Sequence, residues 1–239
     1  MGRLVLVRHG QASFLDGDYD RLSTIGETQA RILGAFWARQ NTKFDLIFTG
    51  PRNRQIRTAE LTAEAYRNQG PSLPQCEVIP HLDEYDSGGI MDELAVALAR
   101  KEPEVHSLIQ RFEQSRGGSE QPRAFQQLFE TVMKEWISDG VTHPGVETWG
   151  SFATRVREAL SIMVEGQSGG KRIAVFTSGG PISVAMQAAL GVSNLTALEL
   201  NWQIRNCSLT EFLFSRGRFT LHSFNSLPHL TDQSLWTYR

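Results

Sequence analysis

The sequence predicts an α/β fold with a mostly parallel central sheet and helices on both faces. Three observations carry this. Short apolar runs rich in Val, Ile and Leu recur along the chain, each ending in a polar or glycine-bearing turn. Segments of helical periodicity alternate with them, as crossovers between parallel strands require. The run from Ile173 to Phe176 is apolar throughout, the pattern of a strand covered on both faces.

In chain order, Arg3–Val7 is the first strand, ended by Arg8-His9-Gly10. Thr24-Ile25-Gly26-Glu27 fits a capping box, and Ile25, Ile32, Leu33 and Phe36 continue at helical spacing. Phe44–Thr49 is the second strand, with Gly50-Pro51 as its turn. Ile56, Ala59, Ala63 and Tyr66 form one face of a helix that stops before Gly70-Pro71. Glu77–Pro80 is a short third strand and Arg172–Thr177 a fourth. Gly179-Gly180 then turns the chain into a helix that Pro181 opens. Its apolar stripe is Ile182, Ala185, Met186, Ala189 and Leu190, and Gly191 is its left-handed stop. Ser208–Phe214 and Phe219–Phe224 close the fold as a hairpin. Strand signals vanish between about 89 and 145, where Leu94–Ala99, Val105–Phe112 and Phe125–Trp136 look helical. That stretch reads as a helical cap inserted into a single domain spanning 1–239.

Composition narrows the function. The 24 Lys and Arg against 26 Asp and Glu leave a net charge of −2, which argues against a nucleic-acid binder. Hydrophobic residues at 40% supply a full core and exclude a disordered chain. No run approaches the roughly 18 apolar residues of a membrane span, and with Leu4–Val7 as the whole apolar start no secretory signal is expected. The expected location is the cytoplasm. Cys76 and Cys207 suit neither a disulfide framework nor a zinc site. Without ligand-spaced His, Asp and Glu, a Walker loop or a dinucleotide fingerprint, neither a metal nor a cofactor is expected.

Ligands of open parallel sheets bind beyond the carboxyl ends of the strands. The first strand delivers Arg8-His9-Gly10 there, the second Arg52, Arg54 and Arg57. The third delivers Asp83-Glu84-Tyr85-Asp86, and the fourth Thr177-Ser178-Gly179-Gly180 at a helix start. Guanidinium forks and helix-start amides both favour phosphate. Three cations at a helix start oppose its dipole, and a bound anion would offset them. A phosphoryl group is the natural guest.

Leu4-Val5-Leu6-Val7-Arg8-His9-Gly10-Gln11 resembles the signature of the histidine phosphatase (phosphoglycerate-mutase-like) superfamily. Asp20–Ser23 with Gly26–Ala30, Pro51–Arg54 with Thr58-Ala59, and Leu82-Asp83-Glu84 with Gly88 resemble its later motifs. Glu147-Thr148, Arg155-Val156 and Asn206-Cys207-Ser208 are similar to weaker family positions. The resemblance implies that His9 attacks phosphorus and becomes a phosphohistidine. It implies further that Arg8 and Arg54 grip the phosphoryl oxygens, with Gln11, Ser178 and Gly179 beside them, and that Glu84 protonates the leaving oxygen. The substrate implied is a phosphorylated small molecule or phosphoprotein. Arg111, Arg116 and Arg123 of the insertion are candidate contacts that read more readily as surface charges.

The chain departs from the family where a second histidine usually stands, at Ser178, and more mildly at Gly50, often Ser. A hydroxyl donates a neutral hydrogen bond and brings no charge, a loss on the order of 1–3 kcal/mol. His143, His222 and His229 are candidate substitutes. The alternative to a phosphatase is a pseudoenzyme that binds phosphorylated ligands without turnover. A mutase is disfavoured because Leu15 stands where mutases usually carry Asn. A serine hydrolase is disfavoured because Phe176 breaks the Gly-x-Ser-x-Gly elbow. If Ser178 is simply a weaker imidazole, Ser178→His should raise turnover.

Overall fold

The structure, a computed structural model, describes residues 1–13, 20–70, 72–165 and 170–238. It divides into two compact units, Met1–Glu84 with Arg155–Arg239, and Tyr85–Thr154.

The first unit is built on six strands: β1 (Gly2–Arg8), β2 (Leu46–Thr49), β3 (Cys76–Val78), β4 (Arg172–Thr177), β5 (Leu209–Ser215) and β6 (Arg218–Ser226). Their order is β3-β2-β4-β1-β5-β6. The first four pair in parallel and the closing hairpin runs antiparallel, so the α/β fold read from the sequence is the one observed. β3 starts one residue earlier than the sequence suggests and stops before Pro80. That proline has no ladder donor, and it opens a 3-10 turn through Leu82.

Helices α1 (Thr24–Arg39) and α2 (Asn53–Arg67) link β1 to β2 and β2 to β3. The cap of α1 is Ser23, one residue before the expected box, and its hydroxyl accepts from Gly26 N at 3.1 Å. After β4 come α8 (Gly179–Leu190) and α9 (Asn194–Gln203). Gly179 rather than Pro181 opens α8, and the missing N–H of Pro181 falls in the first turn, where no intrahelical acceptor exists. Gly191 ends it at φ 66°, as its sequence position predicts.

Val5 and Val7 of β1, Ile47 of β2, and Ala174 and Phe176 of β4 pack with Leu33, Trp37, Ala59 and Tyr66 in one core cluster. The Trp37 ring stands edge-on to Phe176, with centroids 6.1 Å apart. This packing anchors β1 and β4 side by side just before their chains leave the sheet.

The second unit contains α3 (Ser87–Gly89), a π-helical turn Ile90–Leu94, α4 (Ala95–Ala99), α5 (Pro103–Gln114) and α6 (Gln121–Ile137). Its core is aromatic: Trp136 lies 5.0 Å from Tyr85 and 5.4 Å from Trp149, and its indole N–H donates to Glu147 O at 2.7 Å. Arg111, Arg116 and Arg123 are exposed there. The unit boundary falls inside α7 (Trp149–Val164), a helix the sequence reading did not anticipate, as with α9. No described helix is long and apolar enough to cross a membrane.

His229 is buried against Phe36, and neither ring nitrogen has a hydrogen-bond partner among the described residues. Burial lowers its pKa from 6.5 to about 4. The fold therefore holds the neutral ring. Below pH 6.5 the unfolded chain takes up a proton that the folded chain refuses, so stability falls from there towards about pH 4. His229→Phe is expected to flatten part of that acid limb, read as urea midpoints against pH. An unchanged slope would refute the assignment.

Candidate active site

β1 and β4 end in register, Arg8 beside Thr177, and the residues beyond each strand build the site. The His9 main chain is held from both neighbouring strands. Its N–H donates to Thr177 O at 2.8 Å, and its carbonyl accepts from Cys207 N at 3.1 Å and Asn206 Nδ2 at 3.3 Å. Cys207 adopts φ 57° in making this contact, a left-handed conformation that costs about 1 kcal/mol or more in a non-glycine residue.

The His9 ring is buried, at 3% exposure. Its Nδ1 lies 2.7 Å from the carbonyl of Gly10, which can only accept, so the neutral ring carries its proton there. Nε2 keeps a lone pair, and Arg54 Nε donates to it at 3.3 Å. Burial first, then the charges of Arg54 and Arg8, hold the His9 pKa well below 6.5 against the opposing Gly10 bond. Charges such as those of Arg54 and Arg8 disfavour a second positive group beside them. In the fold, desolvation outweighs them.

Arg8 is buried, and its guanidinium donates to the Ile204 carbonyl. Arg54 is buried too, and its Nη1 meets Asp20 Oδ1 at 2.8 Å. Asp20 also accepts from the main-chain N–H of Asn53 at 3.0 Å and of Arg54 at 3.5 Å. Asp20 thus sets one anion at the α2 N-terminus, on Arg54 and on two main-chain N–H groups. Arg52 turns to Asp83, with Nε 2.5 Å from Oδ1, and Arg57 lies exposed beside Glu60 at 3.0 Å. Of these three arginines, Arg54 is the one bonded to His9 among the described residues.

Glu84 Oε2 accepts from Gly180 N at 3.1 Å, which sets the carboxyl at the N-terminus of α8. Arg155 ties down the loop before it, donating from Nη1 to the carbonyls of His81 at 3.0 Å and Asp83 at 2.8 Å. Ser178 is fully buried, and its hydroxyl accepts from Gln55 Nε2 at 2.7 Å. Gln11 is braced by α1: its Oε1 accepts from Ser23 Oγ at 2.8 Å and its N–H donates to Gln29 Oε1 at 2.8 Å. Gly179 opens α8 with the Asn201 carboxamide close against its Cα.

The candidate histidines have other places. His143 faces Glu93 in the second unit at 3.7 Å, His222 is exposed on β6, and His229 packs on Phe36. Leu15 lies outside the described residues. Asp20 and Gln55 are site residues whose parts the sequence reading missed. Each is bonded to a residue far along the chain or across a loop, and no local pattern marks that.

The model of the histidine phosphatase superfamily (branch 1) matches residues 4–140 and 121–227, and the chain belongs to that superfamily. Solved structures share its fold at low identity. Phosphoserine phosphatase from Entamoeba histolytica, in complex with 3-phosphoglyceric acid, has a TM-score of 0.62 at 20% identity, covering 96% of this chain and 100% of that one. Mycobacterial glucosyl-3-phosphoglycerate phosphatase has a TM-score of 0.61 at 21% identity, covering 95% and 99%. Phosphoglycerate mutase from Bacillus anthracis has a TM-score of 0.63 at 18% identity, covering 96% and 95%. No match is found among curated protein sequences.

The order of causes at His9 is open to measurement. Arg54→Gln removes the nearest cation and leaves the ring buried. Its imidazole titration, followed by NMR, should move up from the wild-type value yet stay below 6.5. A return to 6.5 would show that charge, and not burial, dominates.

Proposed function

We propose that the protein is a phosphatase that hydrolyses a phosphate monoester through a phosphohistidine on His9. The observation that carries this is the buried neutral ring, with its Nε2 lone pair directed at a guanidinium. An incoming phosphoryl group takes over that bond to Arg54, and Arg8 adds a second buried cation. Together they stabilise the charge that develops on the transferring oxygens. His9 Nε2 forms the bond to phosphorus as the ester oxygen leaves with a proton from Glu84. Water then attacks the phosphohistidine, returns a proton to Glu84 and releases phosphate.

The substrate class is a phosphorylated small molecule or phosphoprotein. Names such as phosphoserine phosphatase and glucosyl-3-phosphoglycerate phosphatase among proteins of like fold support the first. The helical stretch from about 89 to 145 is, in this proposal, an insertion within one histidine phosphatase domain. Ser178 favours a second reading, in which the pocket binds phosphorylated ligands without turning them over, because it supplies a neutral bond in place of a charged one.

The experiment compares wild type and His9→Ala on p-nitrophenyl phosphate, phosphometabolites and a phosphopeptide. Phosphate release by wild type and none by His9→Ala is the expected result. Turnover by both would remove His9 from the mechanism. Binding of phosphate by wild type without turnover of any substrate would establish the binding protein instead.

A further inference from the structure

The two family departures, Gly50 and Ser178, meet at one side chain. Gln55, in the first turn of α2, is fully buried. Its Oε1 accepts the main-chain N–H of Arg52 at 3.1 Å, which settles the orientation of the amide, since a reversed group would set donor against donor. Nε2 therefore donates, to Ser178 Oγ at 2.7 Å and more weakly to Leu82 O at 3.5 Å. Gly50 leaves room for this, because a Cβ there would run into Gln55 Oε1 and the Leu82 carbonyl. Ser178 sits among the site residues. Thr177 before it accepts the His9 N–H, Gly180 beyond it donates to Glu84, and Arg54, next to Gln55, donates to the His9 ring.

A hydroxyl has one proton and two lone pairs. Gln55 occupies a lone pair of Ser178, and the hydroxyl makes no capping bond to α8 although it stands at the N-cap. Among the described residues no acceptor takes its proton, which is left to donate. We propose that Gln55 is a positioning residue that makes the Ser178 hydroxyl a donor to the bound phosphoryl group. Gly50, Gln55 and Ser178 then form one neutral replacement for the absent imidazole. This rests on the reading of the His9 site as a phosphoryl pocket. It also revises the expectation for Ser178→His. An imidazole at 178 meets the Gln55 carboxamide, so the single variant loses turnover and only Gln55→Ala with Ser178→His gains it.

The test is equilibrium binding of orthovanadate, with thermal melting as a check on folding. Gln55→Glu keeps the volume and an oxygen for the Arg52 N–H, but at a pH high enough to ionise the carboxyl its other oxygen only accepts. The Ser178 hydroxyl then donates to the new carboxylate and is lost to the anion. We expect at least about a tenfold rise in vanadate Kd, measured below the melting transition of each variant, which burial of the charge lowers for Gln55→Glu. Gly50→Ala, which displaces Gln55 without changing it, should weaken binding in the same direction. Ser178→Ala should cost about threefold to tenfold, and Gln55→Ala should add nothing on top of it. Independent losses in that double-mutant cycle, or unchanged binding in both Gln55→Glu and Gly50→Ala, overturn the proposal and leave the pocket reading standing. Failure of wild type to bind vanadate overturns the pocket reading and this inference with it.

Discussion

Everything in the candidate site depends on how the His9 backbone is held. β1 lies between a parallel neighbour and an antiparallel one, and both continue to grip the chain after the strand ends. Thr177 takes the His9 N–H, while Asn206 and Cys207 take its carbonyl. Both main-chain hydrogen-bonding groups of His9 are thus engaged, and the ring inherits that rigidity. Gly10 then adds the acceptor that decides which nitrogen carries the proton. An imidazole fixed in tautomer, orientation and charge follows from strand pairing rather than from any special property of histidine.

The arginines are managed in the same spirit. Each guanidinium that acts on the His9 ring has its own tether, the Ile204 carbonyl for Arg8 and Asp20 for Arg54. Held at rest in a buried site, such groups need little rearrangement when charge develops beside them. The chain as a whole carries a net charge of −2, so this local field is a product of placement and not of composition. The phosphoryl class of guest rests on that placement together with membership of the superfamily.

Much of this was legible in the sequence. Apolar runs mark β1, β2 and β4 because those strands are buried on both faces and need no alternation. Gly191 marked the end of α8 because its conformation suits glycine. The helix α7 was legible too and went unread: Phe152, Val156, Ala159 and Met163 are all buried and fall at helical spacing. Other features leave no local trace. Gln55 in a helix start reads as a surface residue until the sheet brings Ser178 and Gly50 against it. Asp20 reads as a loop acid until the α2 N-terminus arrives. Both depend on distant parts of the chain, and single residues carry no record of such meetings.

The tethers of His9 and Arg8 also have a consequence in time. Arg8 and Ile204 are 196 positions apart in the chain, and His9 and Asn206 are 197 apart. During synthesis His9 leaves the ribosome long before the residues that fix it, and contacts of such separation close late. A nascent chain thus displays Arg8-His9-Gly10 as an ordinary solvated tripeptide. The contacts on the His9 carbonyl and the tether of Arg8 form only when residues 204–207 reach the sheet. Until then the ribosome carries the parts of the site without their arrangement.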